Sequence, residues 1–424
     1  MDFTYGHSMY PHFMLDPSFV NLNHGSFGCL PRAVYEDNLK LTEEVESNPD
    51  LFVRTKLAAR TKDVRRRLEK ILNVEEDECV IVPNVNHGIA LILRSIPWEQ
   101  GDVLVYTSTA FSQIKRNATL QFRGSNVPSP DHSEFPLTFP ESRMSILSRF
   151  RYHLRLVKQG QKGGSRVVAL FDTIVSTPAI AMPWKDMVAI CREEGVLSVI
   201  DAAHSLGQEL NINLGEAQPD FWVANCSKWL FAKRGSAVLY VPKRWVDMLF
   251  TRLFPGIDMP CRNQHLVPYS IPAAIMGPGK GIMSDFATEF AKDRLEALDF
   301  RAAIGGEEKI VQYSHELSIN GGIKMAEILD TEVMPADASS DTKICMVNVR
   351  LPFSTPVKPS FDVFTAFDHK LFEEQKAYAT IFYHNSDWWA RVSAQVYNEI
   401  SDFERLGAIL LVICKEIEQE FGHA

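Results

Sequence analysis

The chain has 424 residues, 46% apolar and 23% charged, with a formal net charge of −9, an ordinary balance for a globular chain. That acidic balance, without a large basic block, argues against a nucleic-acid or membrane-surface partner. The length exceeds one typical domain, so a large domain with a smaller one is expected.

At the N-terminus, "MDFTYGHSMYPHFMLDPSF" has no charged start followed by an apolar run, and no stretch is apolar enough to span a bilayer. This predicts no signal peptide and a cytoplasmic home. "VNLNHGSFGCLP" is a Gly/Asn-rich loop, with Pro31 placed to start the helix "RAVYEDNLKLTEEVESN". A second helix, "RTKLAARTKDVRRRLEKIL", carries apolar residues at helical spacing, and its "DVRRRLEK" cluster reads as a solvated face. Short β-branched runs then alternate with helical or loop segments: "CVIVP", "DVLVYT", "RVVALFD", "VLSVID", "FWVANC" and "SAVLYVP". This rhythm predicts an α/β domain with a largely parallel sheet.

Beyond it, "FPGIDMPCRNQHLVPYSIPAAIMGPGKGIM" reads as a long crossing loop rich in Pro and Gly. "SDFATEFAKDRLEALDFRAAIGG" reads as a helix ended by a glycine pair. "KICMVNVRLP", "AYATIFYHN" and "WWARVSAQVYN" then predict strands, and "EISDFERLGAILLVICKEIEQEF" a closing amphipathic helix whose apolar stripe is core. The expected division is an N-terminal segment and helix over 1–55, a large α/β domain over 56–260, and a crossing loop with a small α+β domain over 261–424. The seven cysteines are scattered, without CxxC or Cys/His spacing, which suits a reducing compartment and predicts no metal site.

Ligands of parallel α/β sheets sit beyond the carboxyl ends of the strands. The polar or aromatic residues there are Asn86, His87 and Gly88 after "CVIVP", Phe111 after "DVLVYT", Asp172 and Ser176 after "RVVALF", Asp201 and His204 after "VLSVI", and Lys228 after "FWVANC". This set meets the needs of pyridoxal 5'-phosphate. Its aldehyde takes a lysine amine, and its ring nitrogen stays protonated against a buried carboxylate. Its phosphate takes N–H groups at a helix start, and its ring takes a flat side chain on one face.

These residues resemble the class V aminotransferase family of fold-type I pyridoxal-phosphate enzymes, in the isopenicillin N epimerase-like and hercynylcysteine sulfoxide lyase-like branch. "NLNHGSFG" at 21–28, the Asp-x-x-His of "VIDAAHSLGQ" at 199–208, "NCSKWL" at 225–230 and "RVSAQVYNEISD" at 391–402 carry the resemblance, in order along most of the chain. It implies a mostly parallel seven-stranded sheet in the large domain, a small C-terminal domain and a homodimer. It also implies that Lys228 forms the internal aldimine, that Asp201 pairs with the pyridinium nitrogen, and that His204 supports Asp201 or the cofactor oxygen. Asn86 and His87 would hold the phosphate, with Asn225 and Ser227 adding contacts. Phe111 would stack on the ring, Ser176 would face the phenolate oxygen, Arg391 would clamp the substrate carboxylate, and Asn23 and His24 would wall the pocket.

Three departures stand out. Phe111-Ser112-Gln113 replaces the relatives' tyrosine followed by Gly-Ala. Ser227 replaces the histidine before the lysine, and Ile282-Met283-Ser284-Asp285-Phe286 lacks the Gly-Thr that relatives use across subunits, leaving Lys280 or Ser284 to rebuild that contact. The shared chemistry is a Cα carbanion (quinonoid) of an amino acid. From the sequence, Mannich-type C–C cyclisation in fungal secondary metabolism is favoured, by similarity to the loline-pathway enzymes and because Phe111 lacks a tyrosine's proton. The alternatives are a C–S lyase of the hercynylcysteine sulfoxide or cysteine desulfurase type, and an epimerase. An aminotransferase and a non-catalytic scaffold are further readings, the scaffold disfavoured by the intact Lys228 and Asp201.

Overall fold

A computed structural model describes residues 3–120, 128–161, 164–245, 296–335 and 343–422. The crossing loop, Lys280 and residues 282–286 lie outside the described residues. The short strand β1 (Val20–Asn21) comes first. The apolar runs then form β2 (Cys79–Val82), β3 (Val103–Thr107), β5 (Val167–Asp172), β8 (Leu197–Asp201), β9 (Phe221–Asn225) and β10 (Ala237–Tyr240). One further strand, β4 (Asp131–Phe135), has no apolar signature. Its "DHSEF" lies at the sheet edge with three of five residues exposed, so no packing demand marks it in the sequence.

The sheet is seven-stranded in the order β2-β10-β9-β8-β5-β3-β4. All its pairings are parallel except those of β10, which runs antiparallel to both neighbours. The strands β2, β5 and β10 are buried at every position, as expected where helices cover both faces. Val80, Val82, Leu104, Val168, Val199 and Val223 pack with the helix Val85–Ser95 on one face. Ile81, Val105, Ala169, Ile200, Trp222 and Val238 enter the core on the other. Side chains alternate across a strand, so each run supplies both layers.

The hairpin β6 (Ile174–Val175) and β7 (Ile180–Ala181) follows β5. A second sheet holds β11 (Met346–Arg350), β13 (Thr380–His384) and β14 (Asp387–Ser393), antiparallel in the order β11-β14-β13. The closing helix Ile400–Phe421 buries Phe403, Leu406, Leu410, Ile413 and Ile417 against it and the helix Gly306–Leu329. Strand β12 (Ala377–Tyr378) pairs parallel with β1, which ties the N-terminal segment to the C-terminal elements.

Two expectations are corrected. The "DVRRRLEK" face is not all solvated: Arg65 is buried, donating to the Cys79 carbonyl at 2.8 Å and to Asp77 at 2.5 Å, which anchors its helix to the start of β2. The segment "NLNHGSFG" is not all loop either, since His24–Phe27 forms one helical turn.

Candidate active site

Lys228 sits in the turn after β9, and distant segments grip that turn by its backbone. The buried His24 accepts from or donates to two groups: its Nε2 lies 2.9 Å from the Lys228 carbonyl and its Nδ1 lies 2.9 Å from the Tyr397 hydroxyl. Gly28, at φ 68°, lies so close that a Cβ there would stand 2.0 Å from the Ser227 carbonyl oxygen. Gly207, at φ 87°, does the same to the backbone of Trp229 at 2.4 Å. The buried Arg301 donates to the Trp229 carbonyl at 2.7 Å and the Gly207 carbonyl at 2.9 Å, and pairs through two bonds with Glu307. A lysine in ordinary coil would sweep many rotamers, and here the turn that carries it is held from four sides.

The ends of β5 and β8 place Asp172 and Asp201 side by side in parallel register. Both are buried. Asp201 accepts the Ala203 N–H at 2.9 Å, and burial pushes its carboxyl up to about 6 against the lowering pull of that N–H and of Lys228. Asp172 is raised well above the ordinary carboxylate range, by burial first and then by the Asp201 charge. Lys228 is pushed down to about 8, by burial first, with Arg391 adding to the fall and Asp201 opposing it. Its Nζ lies 3.1 Å from His204 Nε2. The indole N–H of Trp229 points at His204 Nδ1 from 3.5 Å, so both ring nitrogens are engaged. Burial and the nearby cations hold His204 neutral, well below its usual range. Lys228, with its value near 8, still carries its proton at neutral pH and is one of those cations.

Arg391, on β14, is buried, and no carboxylate pairs with it among the described residues. Nη1 donates to the Ser176 carbonyl at 3.1 Å and hydroxyl at 3.0 Å. Nη2 reaches Asn23 Oδ1 at 2.9 Å, Ser26 Oγ at 2.6 Å and Thr380 Oγ1 at 2.9 Å. Its Nε is buried without a partner. Burial pushes the guanidinium down to about 10. A cation held only by neutral oxygens, with one N–H unsatisfied, is built to receive an anion. Asn348, paired across the sheet with Arg391, bonds both backbone groups of Ala179 and holds the Ser176 segment over it.

At the far end, the helix Val85–Ser95 starts beside β9. Its N-cap is Asn84, whose Oδ1 accepts the His87 N–H at 2.9 Å. Asn225 Oδ1 accepts the Val85 N–H at 3.3 Å, so Asn225 orients this helix start. The helix N-terminus is where an anion such as a phosphate binds. The His87 side chain is exposed and Asn86 is half-buried. Phe111, half exposed, precedes the helix Ser112–Leu120 at the mouth of β3. Ser227 is half-buried.

Comparison with known proteins follows from this geometry. No family model matches the chain. "L-cysteine desulfhydrase-like protein lolT1" of Epichloe uncinata is 32% identical over 99% of this chain and 98% of its own. The chain belongs to the class V aminotransferase family. It is also 27% identical to the hercynylcysteine sulfoxide lyase of Schizosaccharomyces pombe, over 97% of this chain and 98% of that one. Among solved structures it is similar to the cystine C-S lyase C-DES bound to its product cysteine persulfide. That match has a TM-score of 0.72 and 16% identity, over 93% of this chain and 97% of that one. The fold is that of the family's fold-type I members.

Of the residues singled out from the sequence, Lys228, Asp201 and His204 meet at one cleft, and Arg391 joins Ser176 and Asn23 beside it. His24 has both ring nitrogens engaged, one on the Lys228 carbonyl and one at the Tyr397 hydroxyl. Sequence reasoning passed over Ser26, Thr380, Asn84 and Arg301. Asn84 had a readable signal, an Asn opening an apolar helix. Thr380 had none, because only the β13–β14 register sets it opposite Arg391.

Proposed function

We propose that the chain is a pyridoxal-phosphate-dependent lyase that cleaves the C–S bond of a sulfur-bearing amino acid. The observation that carries this reading is an inward lysine, with its amine pushed down to about 8, set between a buried carboxylate and a carboxylate-free buried guanidinium. The side chains present fit the cofactor. Asp201 would face its ring nitrogen, Lys228 would hold its aldehyde, and His204 and Ser176 would lie toward its phenolic oxygen. Phe111 would cover the ring, while Asn86, His87 and Ser227 would meet the phosphate at a helix start that Asn225 orients. When bound, the cofactor supplies an electron sink for negative charge at the substrate Cα.

The chain's own groups do the rest. Arg391 takes the substrate carboxylate in its fork and, with Asn23, fixes which Cα bond stands upright. Lys228 Nζ, basic near neutral pH, takes the Cα proton. His204, neutral and with Nε2 3.1 Å from Nζ, keeps that amine oriented. Relatives named desulfhydrase or sulfoxide lyase support loss of a sulfur substituent as the next step. The cyclisation favoured from the sequence rests on the similarity to the loline-pathway enzymes and on Phe111, whereas the relatives' names point to loss of sulfur, so C–S cleavage is the better-supported outcome. A homodimer is the expected assembly.

The test uses the purified full-length chain with L-cysteine and S-substituted cysteine sulfoxides. Release of the sulfur fragment with pyruvate and ammonia, lost in Lys228→Ala, is expected. Cα deuterium exchange alone sinks the reading, as does a cyclic product from a tethered secondary amine and an aldehyde. Borohydride reduction and peptide mapping must find Lys228 modified.

A further inference from the structure

The pair of carboxylates at the sheet edge holds one more residue than the reading above uses. Asp172 and Asp201 are register partners on adjacent parallel strands, so their Cα atoms stand about 4.8 Å apart. Each is nearly sealed, at 5% and 4% exposure. Two like charges this close in a dry place do not both persist, so the pair keeps one proton.

Which carboxyl holds it follows from their partners. Asp201 receives the fixed backbone N–H of Ala203 at 2.9 Å, a donor that demands an acceptor. Asp172 meets its own backbone N–H and the hydroxyl of Thr107, Oγ1 to Oδ2 at 3.4 Å, and unlike the Ala203 N–H that hydroxyl can turn to accept a proton as readily as give one. The other charged groups that face the pair are the Lys228 amine after β9, which acts on both carboxyls, and Arg391, which acts through Lys228. Of the two carboxyls, Asp201 acts on the lysine more strongly than Asp172. Burial and the Asp201 charge push Asp172 in the same sense.

We propose that Asp172 is a positioning residue that stays a neutral carboxylic acid, so that Asp201 alone carries the negative charge offered to the cofactor's ring nitrogen. One buried anion then faces one ring cation. A second anion would overcompensate that cation and raise the proton affinity of Lys228. This inference rests on the cofactor reading proposed above, but the proton on Asp172 can be read without it.

Infrared spectra of the full-length protein at neutral pH should show the carbonyl stretch of a buried protonated acid. Asp172→Asn should remove that band, and Thr107→Val should shift its frequency without removing it. In the holoenzyme, Asp172→Ala should weaken cofactor affinity about tenfold and move the pH midpoint of the lysine-bound chromophore. Asp172→Asn, neutral and of the same shape, should restore both. Absence of the band, a band that survives Asp172→Asn, or an Asp172→Asn midpoint displaced by more than tenfold in proton affinity overturns the proposal. A wild-type protein with the band but without a chromophore on Lys228 fails the cofactor reading and leaves Asp172 as assigned.

Discussion

Arg391→Lys separates charge from geometry at the clamp. In the wild type, five hydrogen bonds from Nη1 and Nη2 end on neutral oxygens of Ser176, Asn23, Ser26 and Thr380, and Nε is unsatisfied. Holding this cation without an anion lowers its proton affinity to about 10, more than two decades below an exposed arginine, or roughly 3 kcal/mol. A bound carboxylate recovers that cost through charge-assisted bonds of about 1.5–3 kcal/mol each. Lysine keeps the charge and loses the fork. The loss of about 2–3 kcal/mol predicts amino-acid binding weaker by about 30- to 150-fold. Arg391→Met removes the charge as well and should be worse for binding. Its melting temperature should hardly move, because the uncompensated buried cation goes with it and Ser26 and Thr380 still bond Asn23 at 2.9 and 2.7 Å. The assay is the absorbance change on titrating the holoenzyme with an amino acid and with the matching amine that lacks the carboxyl. The amine should bind wild type and both variants alike. Equal losses for amine and amino acid, or an unaffected Arg391→Lys, would refute the clamp.

The remaining predictions address the lysine turn. In the cofactor-free protein, Lys228 is pushed down to about 8, so the unfolded chain binds its proton more tightly. Stability should rise as pH climbs from about 8 to the ordinary lysine value near 10.4, and Lys228→Met should remove that component in paired urea melts. His24, held neutral by burial with its value near 3, should make stability fall as pH drops from about 6.5 toward 3. His24→Ala should cost about 1–3 kcal/mol by orphaning the Lys228 carbonyl and stripping the Tyr397 hydroxyl of one of its two partners, Cys29 being the other, and it should flatten that acid limb. Gly28→Ala drives a Cβ into the Ser227 carbonyl at a left-handed φ and should cost about 2 kcal/mol or more. The control is Gly160→Ala, where a Cβ meets nothing within 4 Å. Equal melting temperatures for the two variants would contradict the close approach.

The sheet was legible because burial on both faces forces β-branched apolar runs, and six such runs became six strands. The edge strand β4 escaped, since a strand exposed on its flank carries no such demand. Lys228, Asp201 and His204 were legible because a parallel sheet sends the residues after its strands to one edge, so local pattern implies a common location. Their protonation states were not. Those depend on which groups share a dry space, as the register of Asp172 with Asp201 and the Trp229 indole against His204 show. His24 shows the converse: its motif was readable, but whether the ring faces substrate or grips the Lys228 carbonyl turns on where Tyr397, 373 residues later, comes to rest. The sequence by itself determined the strand rhythm, the sheet edge and the reactive lysine, because these follow from periodicity and chain direction. Only the tertiary structure decided which side chains hold the lysine turn, how the carboxylate pair shares its proton and why Arg391 stands without an anion, because contact and dielectric are properties of the packed chain.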